Sequence, residues 1–491
     1  MRAMRVMLPL LALLGGCSTS QAARTGPPPL ILISMDTFRA DRLGVLGNPD
    51  GLTPNLDAFA AEAVVFQNAY SQAVQTAPSH ASVFTSRYPT EEVGPDRQPN
   101  IPKDFPMLAQ LLQLYNYHTG AFVAGGDLAR YSGLTVGFDT YEESQDFGSI
   151  WHTGPMALAW LKKIQDDRPY FMFVHGYDTH SHYLKPPPYG YLYSDARTTS
   201  VGQDAVRSAT ERLVDGLVYP DFMTLMMSYE LLLRPRSPEG KARTAELAAE
   251  NLEQRIEVKP EDVELIRHVY DGAVSYADTM VGLFLAALQD RGVLDEAVVV
   301  IMGDHGEQLG EHGLFGHCCE VNEEETHVPL MIRMPKGEGG GRKISAYVEL
   351  VDIMPTLLEL AGATLPARIK GQSLLPAVRG EPFTGRTYSF TEGSEMMRML
   401  TMRGPKGRLT WSGLSPSSPL LPDILASTRL EGPGWQATEG LGTADRAVMR
   451  DAMIAWSSKL SPPPQKGATP HGDMPEALKK SLREHGYWDV Q

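Results

Sequence analysis

The chain has 491 residues, 42% hydrophobic and 21% charged, which are the proportions of an ordinary globular protein with more than one structural unit. Fibrous and extensively disordered organisation is therefore excluded. The formal net charge of -15 opposes a phosphate backbone, so no nucleic-acid partner is expected, although a local field of opposite sign can still hold a small anion.

Arg2 and Arg5 precede an apolar run, Val6–Leu14, that is too short to span a bilayer and closes on Leu14-Gly15-Gly16-Cys17. This pattern resembles a bacterial lipobox. It predicts a signal peptide over residues 1–16 and lipidation of Cys17, the alternative being a plain secretory signal with an incidental cysteine. Removal of Arg2 and Arg5 takes the formal charge from -15 to about -17. Residues 17–29 read as a Ser/Ala/Gly/Pro tether. The expected location is the bacterial cell envelope, attached through the lipid alone, with Ser18 after the cysteine fitting the outer membrane.

Leu30–Met35 is a continuous apolar run, as expected of a strand buried on both faces, and it ends at Asp36. Thr53-Pro54 looks like a helix start, and Pro106–Tyr115 and Val269–Leu288 carry apolar residues at helical spacing. Tyr170–Val174 is a second buried strand, ending at His175. Val298–Met302 is a third, ending before Asp304 and His305, and Val328–Ile332 a fourth. A helical insertion is expected over about 190–267, with helices near Asp221–Leu233 and Lys241–Arg255. From residue 380 the pattern shortens to strands and Pro/Gly/Ser turns. Pro462–Pro464 reads as a linker and Pro475–His485 as a short helix. The prediction is an α/β fold over 30–379, with a mostly parallel central sheet flanked by helices, and a smaller antiparallel-sheet subdomain over 380–491. Ligands in such sheets bind at the carboxyl ends of strands, so residues far apart in sequence are expected to meet at one rim.

Asp36 alone could cap a turn. Gly303-Asp304-His305-Gly306-Glu307, at the end of another buried strand, adds an acid and an imidazole, the donors that hold a divalent cation. Glu307 reads as a supporting group. In Gln75-Thr76-Ala77-Pro78-Ser79-His80, Pro78 suits a first helical turn, so Thr76 stands at a helix N-terminus where an anion is favoured. Its hydroxyl is either an N-cap or, beside a metal, a nucleophile. Ser79 and Ser82 read as packing hydroxyls. His175, His180, His312 and His317 can donate to an oxyanion or protonate a leaving group, and His180 and His317 are favoured by their place in loops after strand ends. Cys318 and Cys319 are adjacent and read as two thiols or a vicinal disulfide.

Together these segments resemble the sulfatase family of the alkaline phosphatase superfamily. The matching segments are Asp36–Asp41, Thr53–Asp57, Thr76–Pro89, Gly303–Gly316, Val351–Thr356 and Leu482–Tyr487. The resemblance implies an alkaline-phosphatase-like fold and one divalent ion (Ca, Mn or Zn) held by Asp36, Thr76, Asp304 and His305. It also implies Thr76 as nucleophile and His80, His180 and His317 as substrate contacts, acting on a small anionic ester. The chain departs from the family pattern in several places. Thr76 stands where sulfatases have the Cys or Ser that becomes formylglycine. His80 replaces Arg, Thr37 an aspartate, His317 a lysine, and the lysine expected after Gly120 is missing. A formylglycine hydrate sheds sulfate by elimination. A threonine ester must instead be attacked by water or another acceptor, and relatives with threonine here include phosphoethanolamine and glycerol-phosphate transferases. The sequence therefore favours phosphate or phosphonate ester chemistry, by hydrolysis or transfer. Sulfuric ester hydrolysis and an inactive sulfatase-fold binding lipoprotein are the alternatives.

Overall fold

The computed structural model describes residues 26–91, 106–144, 147–181, 183, 185–193, 260–317, 320–393, 399–412, 435–437 and 441–460. The expected signal peptide, Cys17, the insertion's expected helices, Cys318, Cys319, and the linker and helix expected over 462–464 and 475–485 lie outside the described residues.

The central sheet takes its strands from the apolar runs. They are β1 (Leu30–Met35), β2 (Val64–Tyr70), β3 (His118–Val123), β4 (Thr140–Glu143), β5 (Tyr170–Gly176) and β6 (Val298–Gly303). A two-residue hairpin, β7 (Gln308–Leu309) with β8 (Phe315–Gly316), precedes β9 (Leu330–Arg333) and β10 (Arg342–Glu349). The spatial order is β10-β2-β9-β6-β1-β5-β3-β4. Strand β1 lies at the centre, parallel to both β5 and β6. Its side chains alternate between two cores, Ile31, Ile33 and Met35 entering one and Leu30 and Leu32 the other. That burial on both faces explains why the run is uniformly apolar.

Strand β9 is the exception to the parallel order, pairing antiparallel with both β6 and β2. A parallel neighbour needs a crossover to the sheet's far end. Among the described residues between β6 and β9 the chain forms the small hairpin and the short helical turns Glu311–Gly313 and Glu323–Thr326, too little for a crossover, so it returns beside β6 in the opposite sense.

The longer helices among the described residues are α1 (Pro54–Ala60), α2 (Thr76–Thr85), α3 (Leu108–Leu114), α4 (Ile150–Leu161), α5 (Pro260–Gln289), α6 (Ile353–Leu360) and α7 (Thr443–Ser457). On α5, Val269, Tyr270, Ala273, Val274, Ala277, Val281 and Leu288 are all buried, the stripe expected from three-to-four spacing. Asp278 on α5 takes the backbone N–H groups of Asn55 (3.1 Å) and Leu56 (2.7 Å) and so serves the α1 N-terminus. Thr53 stands at the N-cap of α1 with Pro54 after it, but its side chain makes no cap bond; the hydroxyl accepts from Gly44 N. No helix among the described residues is long and apolar enough to cross a membrane.

Strands β11 (Ser389–Glu392), β12 (Met399–Gly404), β13 (Gly407–Ser412) and β14 (Trp435–Ala437) form the antiparallel C-terminal sheet. Met449 and Met453 of α7 pack with Leu400, Met402, Leu409 and Trp411. Buried Glu349 at the end of β10 joins the two sheets, accepting from Phe390 N (2.7 Å) and Tyr88 Oη (2.6 Å) and pairing with Arg386 (3.0 Å).

Candidate active site

Strands β1, β5 and β6 run the same way, so their carboxyl ends deliver Asp36, His175, Asp304 and His305 to one rim. The turn after β1 is sharp: Thr37 takes a left-handed conformation at φ 54. This aims its N–H at Asp304 Oδ1 (3.1 Å), which also accepts from His305 N (2.8 Å). His305 Nδ1 faces Gly306 O at 3.0 Å, which fixes the proton on Nδ1 and leaves Nε2 as a lone-pair donor.

Helix α2 completes the rim. Its cap residue is Gln75, in extended conformation, and Thr76 is the first helical residue rather than the cap. Thr76 Oγ1 donates to Asp36 Oδ2 at 3.0 Å and lies 3.4 Å from His305 Nε2. Ser79 Oγ on the next turn donates to Asp304 O at 2.7 Å, tying α2 to the end of β6.

Asp36, Asp304 and His305 are fully buried, and their ligating atoms lie within 4.8 Å of one another. Asp36 Oδ1 and Asp304 Oδ2 have no hydrogen-bond partner. Burial pushes Asp36 up to about 7, against the opposing pull of His305. Burial and then the charge of Asp36 push Asp304 up to about 6. Burial lowers His305, but Asp304 and Asp36 together outweigh it and raise the imidazole. Two desolvated carboxylates with orphaned oxygens beside an imidazole lone pair fit a divalent cation, whose charge offsets the desolvation. The edges Thr76 Oγ1–Asp36 Oδ2 (3.0 Å), Thr76 Oγ1–His305 Nε2 (3.4 Å) and His305 Nε2–Asp304 Oδ2 (3.7 Å) bracket the roughly 3.4 Å between ligand atoms of a tetrahedral site with bonds of about 2.1 Å.

His180 and His317 stand together beside this cluster, with ring centroids 5.2 Å apart and His317 4.7 Å from His305. His317 Nδ1 meets Glu307 Oε1 at 3.0 Å and His180 Nδ1 meets Ser181 O at 2.6 Å, so in each ring Nδ1 is engaged. Burial, reinforced by the neighbouring imidazole, holds His180 down to about 3 and His317 well below its ordinary value. Glu307 is a buried support for His317, as its sequence reading expected. His312 faces outward and pairs with Glu324.

His80 lies behind Thr76, fully buried, and not at an open face. Its Nδ1 contacts Thr76 O at 2.8 Å and its Nε2 meets Ser34 Oγ at 2.9 Å, so both nitrogens are occupied by protein partners. This geometry braces the nucleophile segment and does not present His80 to a substrate. His175 was passed over in favour of His180 and His317, yet its Nε2 lies 3.4 Å from Asp36 Oδ2 and its Nδ1 is unpartnered. It groups with His80 and Asp304 within 4.8 Å. Its position directly after a buried strand, shared with Asp36, was the signal available. Asp127 and Tyr177 also reach the centre electrostatically. No motif marks Asp127, whereas its place just beyond the end of β3 follows from topology.

Among known proteins, the N-acetylglucosamine-6-O-sulfatase of Bacteroides thetaiotaomicron is 24% identical over 422 residues, 77% of this chain and 75% of the relative. The multifunctional alkaline phosphatase superfamily protein PehA of Trinickia caryophylli is 25% identical over 433 residues, 73% of this chain and 78% of its own length. The phosphonate monoester hydrolase of Agrobacterium radiobacter shares the fold with a TM-score of 0.62 at 18% identity, over 88% of this chain and 95% of that one. The Sulfatase family profile matches residues 28–363, the span that holds the whole central sheet and every residue of the cluster, and the chain belongs to this family of ester-bond hydrolases within the alkaline phosphatase superfamily.

Proposed function

We propose that the protein cleaves phosphate or phosphonate esters through a covalent ester on Thr76, passing the acyl-like phosphoryl group to water or to another acceptor. The observation that carries this reading is the placement of Thr76 Oγ1, 3.0 Å from Asp36 Oδ2 and 3.4 Å from His305 Nε2 at the first residue of α2. Asp36, Asp304 and His305 would hold a divalent cation, which when bound acidifies a neighbouring hydroxyl and neutralises charge on a non-bridging oxygen.

The hydrogen bond to Asp36 Oδ2 holds the Thr76 proton on one side and leaves the oxygen's lone pairs for phosphorus. The Thr76 proton passes to Asp36 Oδ2 as the Thr76 O–P bond forms and the P–O bond to the leaving group breaks, and it returns to Thr76 when the Thr76 O–P bond later breaks. His317 and His180, their Nδ1 protons held by Glu307 and Ser181 O, present Nε2 lone pairs that stand ready to take the proton of the attacking water, while the leaving oxygen takes its proton from solvent. The α2 N-terminus favours the anion throughout. Water then attacks phosphorus in line, its proton going to an imidazole, and the Thr76 O–P bond breaks. The sum is ester plus water to acid plus alcohol.

Threonine supports this reading because it is no substrate for conversion to formylglycine, so the elimination that releases sulfate has no starting point. Sulfuric ester hydrolysis is the second reading, favoured by the sulfatase relatives. Purified protein supplied with Mn, Zn or Ca is to be assayed on matched aryl phosphate, phosphonate and sulfate esters. The proposal expects phosphorus esters to lead and Thr76→Ala to abolish turnover. Faster sulfate turnover would install the second reading, and wild-type rates in Thr76→Ala would remove the nucleophile.

A further inference from the structure

The mouth of the site carries a free acid and a bare aromatic ring where an anionic ester calls for cations. Asp127 sits in the turn Gly126–Leu128 that follows β3 on the active-site rim. It is exposed, and its carboxylate has no hydrogen bond or ion pair among the described residues. Asp36, His305 and Tyr177 interact with its charge, so it lies near the centre. Its backbone N–H donates to Tyr177 Oη at 3.0 Å. Gly126 lets the turn approach that closely: at φ +57, a Cβ there would stand 2.7 Å from the tyrosine hydroxyl.

Tyr177 links this acid to Phe147. The Phe147 ring centroid lies 5.0 Å from Tyr177 and 5.2 Å from His180, and the side chain is 54% exposed. Its backbone is left-handed at φ 52, a conformation that a bulky residue adopts only where surrounding structure enforces it.

A carboxylate at the rim repels a purely anionic ester, and an aromatic face attracts an ammonium group. We propose that this mouth is a cation subsite, Asp127 and the Phe147 face together holding an ammonium or quaternary ammonium group on the ester. The substrate class is then a zwitterionic phosphate ester of an amino alcohol, an inference that rests on the phosphoryl-ester reading above.

The test uses two diesters of one shape, p-nitrophenyl phosphorylcholine and p-nitrophenyl 3,3-dimethylbutyl phosphate, in which carbon replaces the quaternary nitrogen. Wild-type kcat/KM is expected to favour the choline ester by about 10-fold or more. Asp127→Asn is expected to bring that ratio close to 1, and Phe147→Ala to lower it several-fold. A wild-type ratio at or below 1, or a ratio unmoved in Asp127→Asn, overturns the subsite. Equal losses on both esters in Phe147→Ala, with no effect of Asp127→Asn, also overturn it and leave an apolar contact instead. If neither diester is cleaved, the same ratios are read from their inhibition of whichever ester is. If no ester is cleaved, the function proposed above falls, and calorimetric binding of phosphocholine against 3,3-dimethylbutyl phosphate still decides the subsite.

Discussion

Stripping the protein of divalent cations with a chelator is expected to make its stability fall as pH rises from about 6.5 to 8, the reverse of ordinary acid denaturation. Asp36 and Asp304 sit near 7 and 6 in the folded chain, against an ordinary value of 3.8. The folded state therefore binds these protons more tightly than the unfolded state. Their contribution is fully present below about pH 4 and is lost as pH rises through 6 and 7. At roughly 1.4 kcal/mol for each tenfold difference in proton affinity, ionising both costs on the order of 5–7 kcal/mol. That is an upper bound, because part of the rise at Asp304 is the charge of Asp36 itself. A cation displaces the protons, so its stabilising effect is expected to grow from pH 5 to pH 8. The assay is thermal or urea unfolding of chelator-treated protein at each pH, with and without added Mn or Zn. Glu307 and Glu349, also pushed up to about 7 by burial, tilt the curve the same way, whereas His80, His175, His180 and His317, lowered by burial, tilt it the other way below about pH 6.5. Asp304→Asn isolates the centre: it keeps the acceptor for Thr37 N and His305 N, removes about 3 kcal/mol of the slope, and abolishes the cation response. A chelated protein whose stability is flat or rising from about pH 6.5 to pH 8, no different in Asp304→Asn, and unresponsive to cation at pH 8, would refute the reasoning.

Thr76→Ser keeps the hydroxyl and is expected to retain kcat within about 10-fold, whereas Thr76→Ala loses about 10⁴-fold, read from initial rates on the best phosphorus ester. His80→Ala strands the buried Ser34 hydroxyl and Thr76 carbonyl; a loss of about 2 kcal/mol is expected in urea unfolding, and a wild-type midpoint would dismiss the brace. His317→Ala removes a contact and leaves Glu307 buried without its partner, so a fall in kcat of about 10²–10³-fold is expected together with lower stability. An unchanged kcat would take His317 out of the chemistry.

Much of the fold and of the cluster was legible because the same physics writes both. Strands β1, β5 and β6 are buried on both faces, so their apolar runs are continuous, and the residue that ends each run is forced to the rim. Asp36, Asp304 and His305 followed from that alone. The antiparallel sense of β9 was not legible, because apolar content does not encode direction; it depends on what the intervening chain lacks. His80 lies one turn after Thr76 on the same face of α2, and what the sequence does not encode is that Ser34 and the Thr76 carbonyl occupy its two ring nitrogens. His175 carried the same end-of-strand signal as Asp36 but was weighed against three other histidines by loop position. Asp127 and Phe147 had no sequence signal, since their meaning comes from Tyr177, which brings them to the same mouth.

The most direct test of Thr76 as nucleophile is acid quenching of the enzyme during turnover of a phosphorus ester, followed by high-resolution mass measurement of the peptide containing Thr76. A phosphoryl or phosphonyl adduct on Thr76, absent from Thr76→Ala, is the predicted result. An adduct on another residue, or full turnover in Thr76→Ala with no adduct anywhere, would contradict the account.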